Sequence, residues 1–369
     1  MKFNKKKIEI TFIIPTFNES NNIKGLLKKL NKLQNIYEIE IIVVDDNSND
    51  GTPELVRELA KKKKNIRLIN RINRFGLSSA IKEGCINATN EIIAIMDADG
   101  QHKVEDVNSA IKKLFFERLD VVIGSRFLSG ASVKGISQKR KKGSNIANKL
   151  ARYSLPKKYG KITDYMTGCS ILNRKSCINY IKKIDVNGFK FIYELLSISK
   201  GTLNVGEIPF SIQSRKDGVS KFDIAIIWDF LISLIHTFLK RNIPRRAISF
   251  GLVGSTGVIV QIFAFYTIRF VFGLEFENAL PISVICAASS NFLINNWLTF
   301  RNQKLKNKKL IVGLLKYLLV SSLPIVANVG IATSFYNNIS PNSLFSQLAG
   351  IIIVFIWNYG ASSKLVWNT

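Results

Sequence analysis

The stretch IIAIMDADGQHKVED, residues 92–106, decides how the rest of the chain is read. Its opening run is apolar and rich in isoleucine, as in a strand whose two faces are both covered. Two carboxylates, Asp97 and Asp99, then stand one residue apart before Gly100. Such a pair either closes the strand in a solvated turn or serves as a ligand set. Two carboxylates at this spacing in an extended turn both reach a hard divalent cation, Mg2+ or Mn2+, which takes oxygen ligands and keeps positions open for phosphate oxygens. Gln101 offers a further oxygen, and His102 either supports the acids or packs beneath them.

The first half of the chain repeats this pattern. IEITFIIP (8–15), IEIIVVDD (39–46), NIRLIN (65–70), EIIAIMD (91–97) and LDVVIGS (119–125) read as strands, separated by amphipathic helical segments. In DGTPELVRELAKKKK, Thr52 is expected to cap a helix with Pro53 at its first position. Alternating strands and helices imply a largely parallel α/β sheet, which binds ligands at the carboxyl ends of its strands. Those ends carry PTFNE (15–19), DDNSNDGT (45–52), DADGQH (97–102) and GSR (124–126), so the polar loops gather on one edge. Asp45 and Asp46 could there accept hydrogen bonds from a base or ribose, whereas Asn49, Gly51 and Thr52 fit turn and cap chemistry equally well.

Beyond about Pro244 the composition changes to long windows almost free of charge. FDIAIIWDFLISLIHTFLKR (222–241), ending in a basic cluster, reads as one or two helices lying in a membrane interface. Four apolar segments follow, roughly 248–272, 280–300, 310–335 and 344–363, each long enough to cross about 30 Å of hydrocarbon. The loop RNQKLKNKK (301–309) is basic, whereas GLEFENA (273–279) is acidic and NNISPNS (337–343) uncharged. This asymmetry predicts that the basic loop, both ends of the membrane part and the catalytic half face the cytoplasm. Gly251, Gly254 and Gly257 would permit close helix packing, within one chain or between two copies.

Composition excludes several classes. The net charge of +27 divides into +8 over residues 245–369 and +19 before them, so both halves are basic, as suits an anionic membrane surface or phosphate ligands. No stripe of aromatics interleaved with arginine marks a nucleic-acid face. Cys85, Cys169, Cys177 and Cys286 show no C-x-x-C spacing and the two histidines, His102 and His236, are far apart, which argues against a zinc site or a disulfide scaffold.

Taken in order, PTFNE, VVDDNSNDGT, FGLSSAIKEG, MDADGQH, GSRF and RKDGVSK (215–221) resemble the family 2 glycosyltransferases, and among them the dolichol-phosphate (polyprenol-phosphate) mannose synthases. FGLVGSTG, NFLINNWLTF and the closing KLVWN resemble the GtrA-like four-helix membrane domain fused to some of them. The resemblance implies a GT-A catalytic domain over residues 1–222, interface helices over 223–244 and a membrane domain over 245–369. It places Pro15, Phe17 and Glu19 in the nucleotide pocket, with Phe17 where a tyrosine is common. Asp45 and Asp46 would bind the base and ribose, and Asp97, Asp99 and Gln101 the metal at the donor diphosphate. Arg126, Arg140, Arg215, Ser220 and Lys221 match positions around the acceptor phosphate, with Lys139, Lys141 and Lys142 competing for the role of Arg140. Arginine suits that place because its planar fork grips phosphate oxygens in pairs. Glu194 matches an acid near the active site or is a helix-face carboxylate, while Asp164 and Gly168 read as structural.

The resemblance implies an inverting transfer of mannose from GDP-mannose to dolichyl or polyprenyl phosphate, with Mg2+ or Mn2+. Transfer from UDP-glucose is the nearest alternative, and a membrane half that carries lipid-linked sugar or recruits a partner is a different one. The chain offers no Ser/His/Asp or Cys/His arrangement, and a phosphate acceptor needs none: its second pKa lies near ~6, so it is largely dianionic at neutral pH.

Overall fold

In the computed structural model the chain divides into two compact units, Met1–Phe238 and Leu239–Thr369. The structure describes residues 7–72, 76–102, 104–132, 138–185, 190–211, 224–339 and 343–368.

The first unit is built on a seven-stranded sheet: β1 (Ile8–Thr16), β2 (Tyr37–Asp45), β3 (Ile66–Asn70), β4 (Ile92–Ile95), β5 (Val121–Ser125), β6 (Ser170–Asn173) and β7 (Val205–Pro209). Their order is β3-β2-β1-β4-β6-β5-β7, and only β6 runs antiparallel to its neighbours. The five strands expected from the sequence are all present, and β6 and β7 are additions to them. Among the described residues, eight α-helices accompany the sheet: α1 (Ser20–Asn31), α2 (Thr52–Lys62), α3 (Leu77–Asn87), α4 (Val104–Phe116), α5 (Gln138–Ser154), α6 (Arg174–Ile181), α7 (Phe191–Ser199) and α8 (Ile224–Phe238).

Strand residues alternate between two cores because successive side chains leave opposite faces of a strand. Ile13, Val44, Ile93, Ile95 and Ile123 pack on one face against Ala80 of α3, Ala151 of α5, Cys177 of α6, Tyr193 of α7 and Phe230 of α8. Phe12, Ile14, Val43, Ala94 and Val122 pack on the other against Leu27 of α1, Val56 of α2 and Ile111 of α4. The result is a three-layer, mixed α/β arrangement with a Rossmann-like parallel core, as the sequence pattern implied.

The start of α2 differs from expectation by one residue. Gly51, in the left-handed region at φ 88°, holds the cap position, and Thr52 is the first helical residue. Asp50 supplies the missing acceptor, taking the Thr52 backbone N–H at 3.0 Å and its hydroxyl at 2.6 Å. Burial alone would raise the Asp50 carboxyl, but its hydrogen bonds from Thr52 and Ser20 outweigh that and hold it down at about 2.

The second unit contains α9 (Arg245–Phe272), α10 (Phe276–Ile294), α11 (Lys308–Asn338) and α12 (Ser343–Leu365), with a π-helical turn over Asn295–Thr299 after α10. Its core is aromatic. Trp367 stacks on Phe300 at 4.1 Å between centroids and donates its indole N–H to Asn296 at 3.1 Å, so the closing KLVWN segment is pinned back onto the α10 end. Among the described residues, α9 alone has the length and apolar composition to cross a membrane. Its outer residues Ile259, Phe263, Tyr266 and Phe270 are exposed. Of the three glycines noted on α9, Gly257 makes a close approach, since a Cβ there would overlap the Asn291 amide of α10. Gly251 lies against Phe355 of α12, and Gly254 faces open space.

Candidate active site

The strand register decides which loops meet. Ile13 pairs with Ile95 and Thr16 with Asp45, so the ends of β1, β2 and β4 lie level at one edge of the sheet. Ile95 also pairs with Ser170 of antiparallel β6. The segment leading into β6, residues 163–168, therefore arrives at the same edge, with Gly168 beside Asp97.

That contact is close. A Cβ on Gly168 would overlap the Asp97 carboxylate, so the missing side chain is the cradle in which the acid lies. Asp97 keeps about a third of its side-chain surface (33%) and faces His102 Nε2 at 4.0 Å. Asp99 is buried and accepts the Gln101 backbone N–H at 3.1 Å, which fixes the turn. His102 is buried and packs on Phe210 at 5.9 Å between ring centroids.

Among the described residues no group of three His, Cys, Asp or Glu side chains forms a metal cluster. Asp97, Asp99 and Gln101 follow the end of β4, and their side chains could supply two carboxylates and an amide oxygen. Such a set fits a hard cation completed by ligands from substrate, and the Gly168 cradle leaves the Asp97 carboxylate room to serve. Gly168→Ala is expected to keep the fold but push Asp97 aside, lowering turnover by about tenfold or more, as measured by sugar transfer at saturating metal.

The β1 and β2 loops form a tightly bonded block. Asp45 is fully buried and accepts from the Thr16 hydroxyl at 2.8 Å and from the Ser48 N–H and hydroxyl at 2.8 and 2.7 Å. Asp46 is held through Oδ1 by Arg71 at 2.9 Å and through Oδ2 by the Gly76 N–H at 2.8 Å. The Arg71 guanidinium, itself buried, also meets Ser79 and Glu83. Asp45 thus ties the β1 and β2 loops together, and Asp46 holds the start of the GLSSA segment. Arg71 carried no motif signal in the sequence. Pro15 is buried in β1, Phe17 is half-buried, and Glu19 accepts from the Asn22 side chain at 2.9 Å.

Arg126 leaves the end of β5 and is gripped by Asp164. Nε donates at 2.6 Å and Nη2 at 2.8 Å, a two-pronged pair around a carboxylate with no exposed surface. Burial works against the charge of Arg126, but the hydrogen bonds and charge of Asp164, and the charge of Asp97 nearby, outweigh it and hold the guanidinium cationic. Glu207 of β7 anchors the same segment by accepting the N–H groups of Thr163 at 3.0 Å and of Asp164 at 3.1 Å. Burial pushes the Glu207 carboxyl up. Asp164 and Gly168, which read as structural, are therefore the supports of Arg126 and Asp97. Their tertiary role was hidden because it rests on the antiparallel course of β6, which pairs it with strands far apart in the chain.

Between α5 and the 163 loop lies a cleft of about 390 Å³, lined by Phe127, Asn148, Lys149, Arg152, Tyr153 and Thr163 among others. Glu194 is fully buried within α7. Arg140 belongs to α5, and its side chain lies outside the described residues, as do Arg215, Ser220 and Lys221.

Residues 11–181 match the family model described as Glycosyl transferase family 2, and residues 249–367 the one described as GtrA/DPMS, transmembrane domain. A dolichol-phosphate mannosyltransferase of Pyrococcus furiosus is 29% identical over 98% of this chain and 100% of its own. One from Saccharomyces cerevisiae is 33% identical over 63% of this chain and 88% of its own. Among solved structures, the mannosyltransferase PcManGT from Pyrobaculum calidifontis, in complex with GDP-Man and Mn2+, aligns at a TM-score of 0.46 and 16% identity over 99% of this chain and 89% of its own. The chain therefore belongs to the dolichol-phosphate mannosyltransferases, with its family 2 glycosyltransferase region followed by a GtrA/DPMS transmembrane domain.

Proposed function

We propose that the protein transfers mannose from GDP-mannose to a polyprenyl phosphate such as dolichyl phosphate, with inversion, by a single displacement. The observation that carries this reading is the pairing on one sheet edge of an acidic center, Asp97 and Asp99, with the charged, largely enclosed Arg126, only 16% of whose side chain is exposed. Acids that hold a donor diphosphate through a cation and a guanidinium that faces a second anion are what a reaction between two phosphate compounds requires.

The nucleotide would lie along the β1 and β2 loops, bounded by Pro15, Phe17 and Glu19, with Asp45 and Asp46 fixing the loop shape. Asp97, Asp99 and Gln101 would hold Mg2+ or Mn2+, which when bound supplies charge neutralisation for the departing nucleoside diphosphate. Arg126, fixed by Asp164, directs its charge toward the incoming phosphate and offsets repulsion between the two anions. Arg140, Arg215, Ser220 and Lys221 would complete the acceptor side, with Glu194 a further acid of the substrate site. A dianionic phosphate is nucleophilic at neutral pH, so the residues align it with the anomeric carbon and abstract no proton.

The membrane part is read as four spanning helices, with the catalytic domain on the cytoplasmic face and α8 in the interface. The basic 301–309 loop and the exposed apolar side chains of α8, Ile227, Leu231 and Phe238, support this placement. Domain limits of 1–222, 223–244 and 245–369 follow from that reading.

A donor panel tests the proposal. Purified full-length protein in detergent, given Mg2+ or Mn2+ and a polyprenyl phosphate, is expected to form lipid-linked mannose from GDP-mannose at least about tenfold faster than lipid-linked glucose from UDP-glucose, a difference of about 1.4 kcal/mol. Faster glucose transfer would move the assignment to a glucosyltransferase. No product with any nucleotide sugar would remove it.

A further inference from the structure

Tyr193 of α7 is fully buried, yet its hydroxyl has polar company from two other helices. It lies 2.8 Å from the Ser154 hydroxyl at the end of α5 and donates to the Thr237 hydroxyl of α8 at 3.1 Å. Thr237 also meets Ser197 of α7 at 2.9 Å and donates to the Ser233 carbonyl of its own helix at 2.9 Å. The Tyr193 ring packs edge-on against Phe230 of α8. A small hydroxyl cluster in an otherwise apolar core thus joins α5, α7 and α8.

What α5 does next gives the cluster its meaning. The buried Asn148 of α5 accepts the Tyr165 N–H at 2.9 Å, and Arg152 of α5 donates to the Ile162 carbonyl at 3.3 Å. Both bonds hold the 162–165 segment, whose Asp164 fixes Arg126. A continuous series of contacts therefore runs from the apolar helix α8, through Tyr193 and Ser154, along α5, to the cation at the end of β5. It also sets one wall of the cleft between α5 and Thr163. The loops of β1, β2 and β3 lie on the other side of β4 and take no part in it.

We propose that Tyr193 and Thr237 are positioning residues for the acceptor: their hydroxyls latch α8 to α5 and so place Arg126 and the α5 cleft for the phosphate of the lipid. The inference rests on the proposed transfer to a polyprenyl phosphate. Hydroxyl cross-links of this kind are selective in effect, because removing one leaves packing intact but frees two helices to shift relative to each other.

The test uses Tyr193→Phe and Thr237→Val in the full chain, with Thr237→Ser as the conservative control. In both disabling variants, amide exchange over residues 142–154 is expected to rise about fivefold, while that of β1 and β2 stays unchanged. KM for polyprenyl phosphate is expected to rise about five- to tenfold, with KM for GDP-mannose within about twofold of the parent. Thr237→Ser restores both. Unchanged exchange in α5, or equal shifts in the two KM values, would overturn the proposal. If the parent protein transfers no sugar to polyprenyl phosphate, the proposed function fails, while the exchange comparison still decides whether the latch exists.

Discussion

Asp164→Ala is expected to destabilise the catalytic unit by about 3 to 5 kcal/mol and to abolish transfer, because it strands the Arg126 charge in a site where only 16% of that side chain is exposed. The carboxylate receives two guanidinium bonds and the Arg126 and Met166 backbone N–H groups at 3.2 and 3.1 Å, so four donors lose their acceptor at once. Thermal unfolding of the purified chain, read on the transition of the catalytic unit, measures the loss. Asp164→Asn keeps the shape and removes the charge, and should fall between parent and alanine variant. Pairing Arg126→Met with Asp164→Leu is expected to recover most of the stability and none of the activity, since well-packed apolar groups replace a buried ion pair at little cost. A loss below about 1 kcal/mol for Asp164→Ala would mean that solvent reaches the pair freely and that the pair does not hold Arg126 in place.

Asp99→Asn is the second large effect. The asparagine oxygen still accepts the Gln101 N–H, so the turn should persist and the unfolding transition stay close to that of the parent. What disappears is one of two negative charges, and kcat/KM is expected to fall by at least about a hundredfold. Binding of Mn2+ to the purified protein in the presence of GDP should weaken in parallel, which separates loss of the cation from loss of the fold. A variant with near-normal rate would refute the assignment of Asp97, Asp99 and Gln101 to the metal.

The parts of the fold visible in the sequence were those with local periodicity. β1 to β5 announce themselves as apolar runs because both faces of the sheet are covered, and Leu55, Val56 and Leu59 mark a helix face because burial on one side of a helix imposes a repeat of 3.6 residues. The strand β6, SILN, has only two apolar residues between polar ones and so makes no apolar run. Its antiparallel course nevertheless brings Asp164 and Gly168 to the edge where the parallel strands end. Arg71 escaped notice for a related reason: a lone arginine in a basic chain has no pattern, and its burial beside Asp46 is a tertiary event.

By itself, then, the order of residues determined the α/β alternation, the acid pair closing β4, the apolar second half and the family motifs, all properties of neighbors along the chain. The tertiary structure alone decided which groups hold one another. Asp45 and Asp46 are bonded within the loop block, Arg126 is clamped by Asp164, and Asp97 lies in the space that Gly168 leaves. Those facts depend on register between strands far apart in sequence. Hydrogen bonds and excluded volume act through space, over distances of a few ångströms that no spacing along the chain encodes.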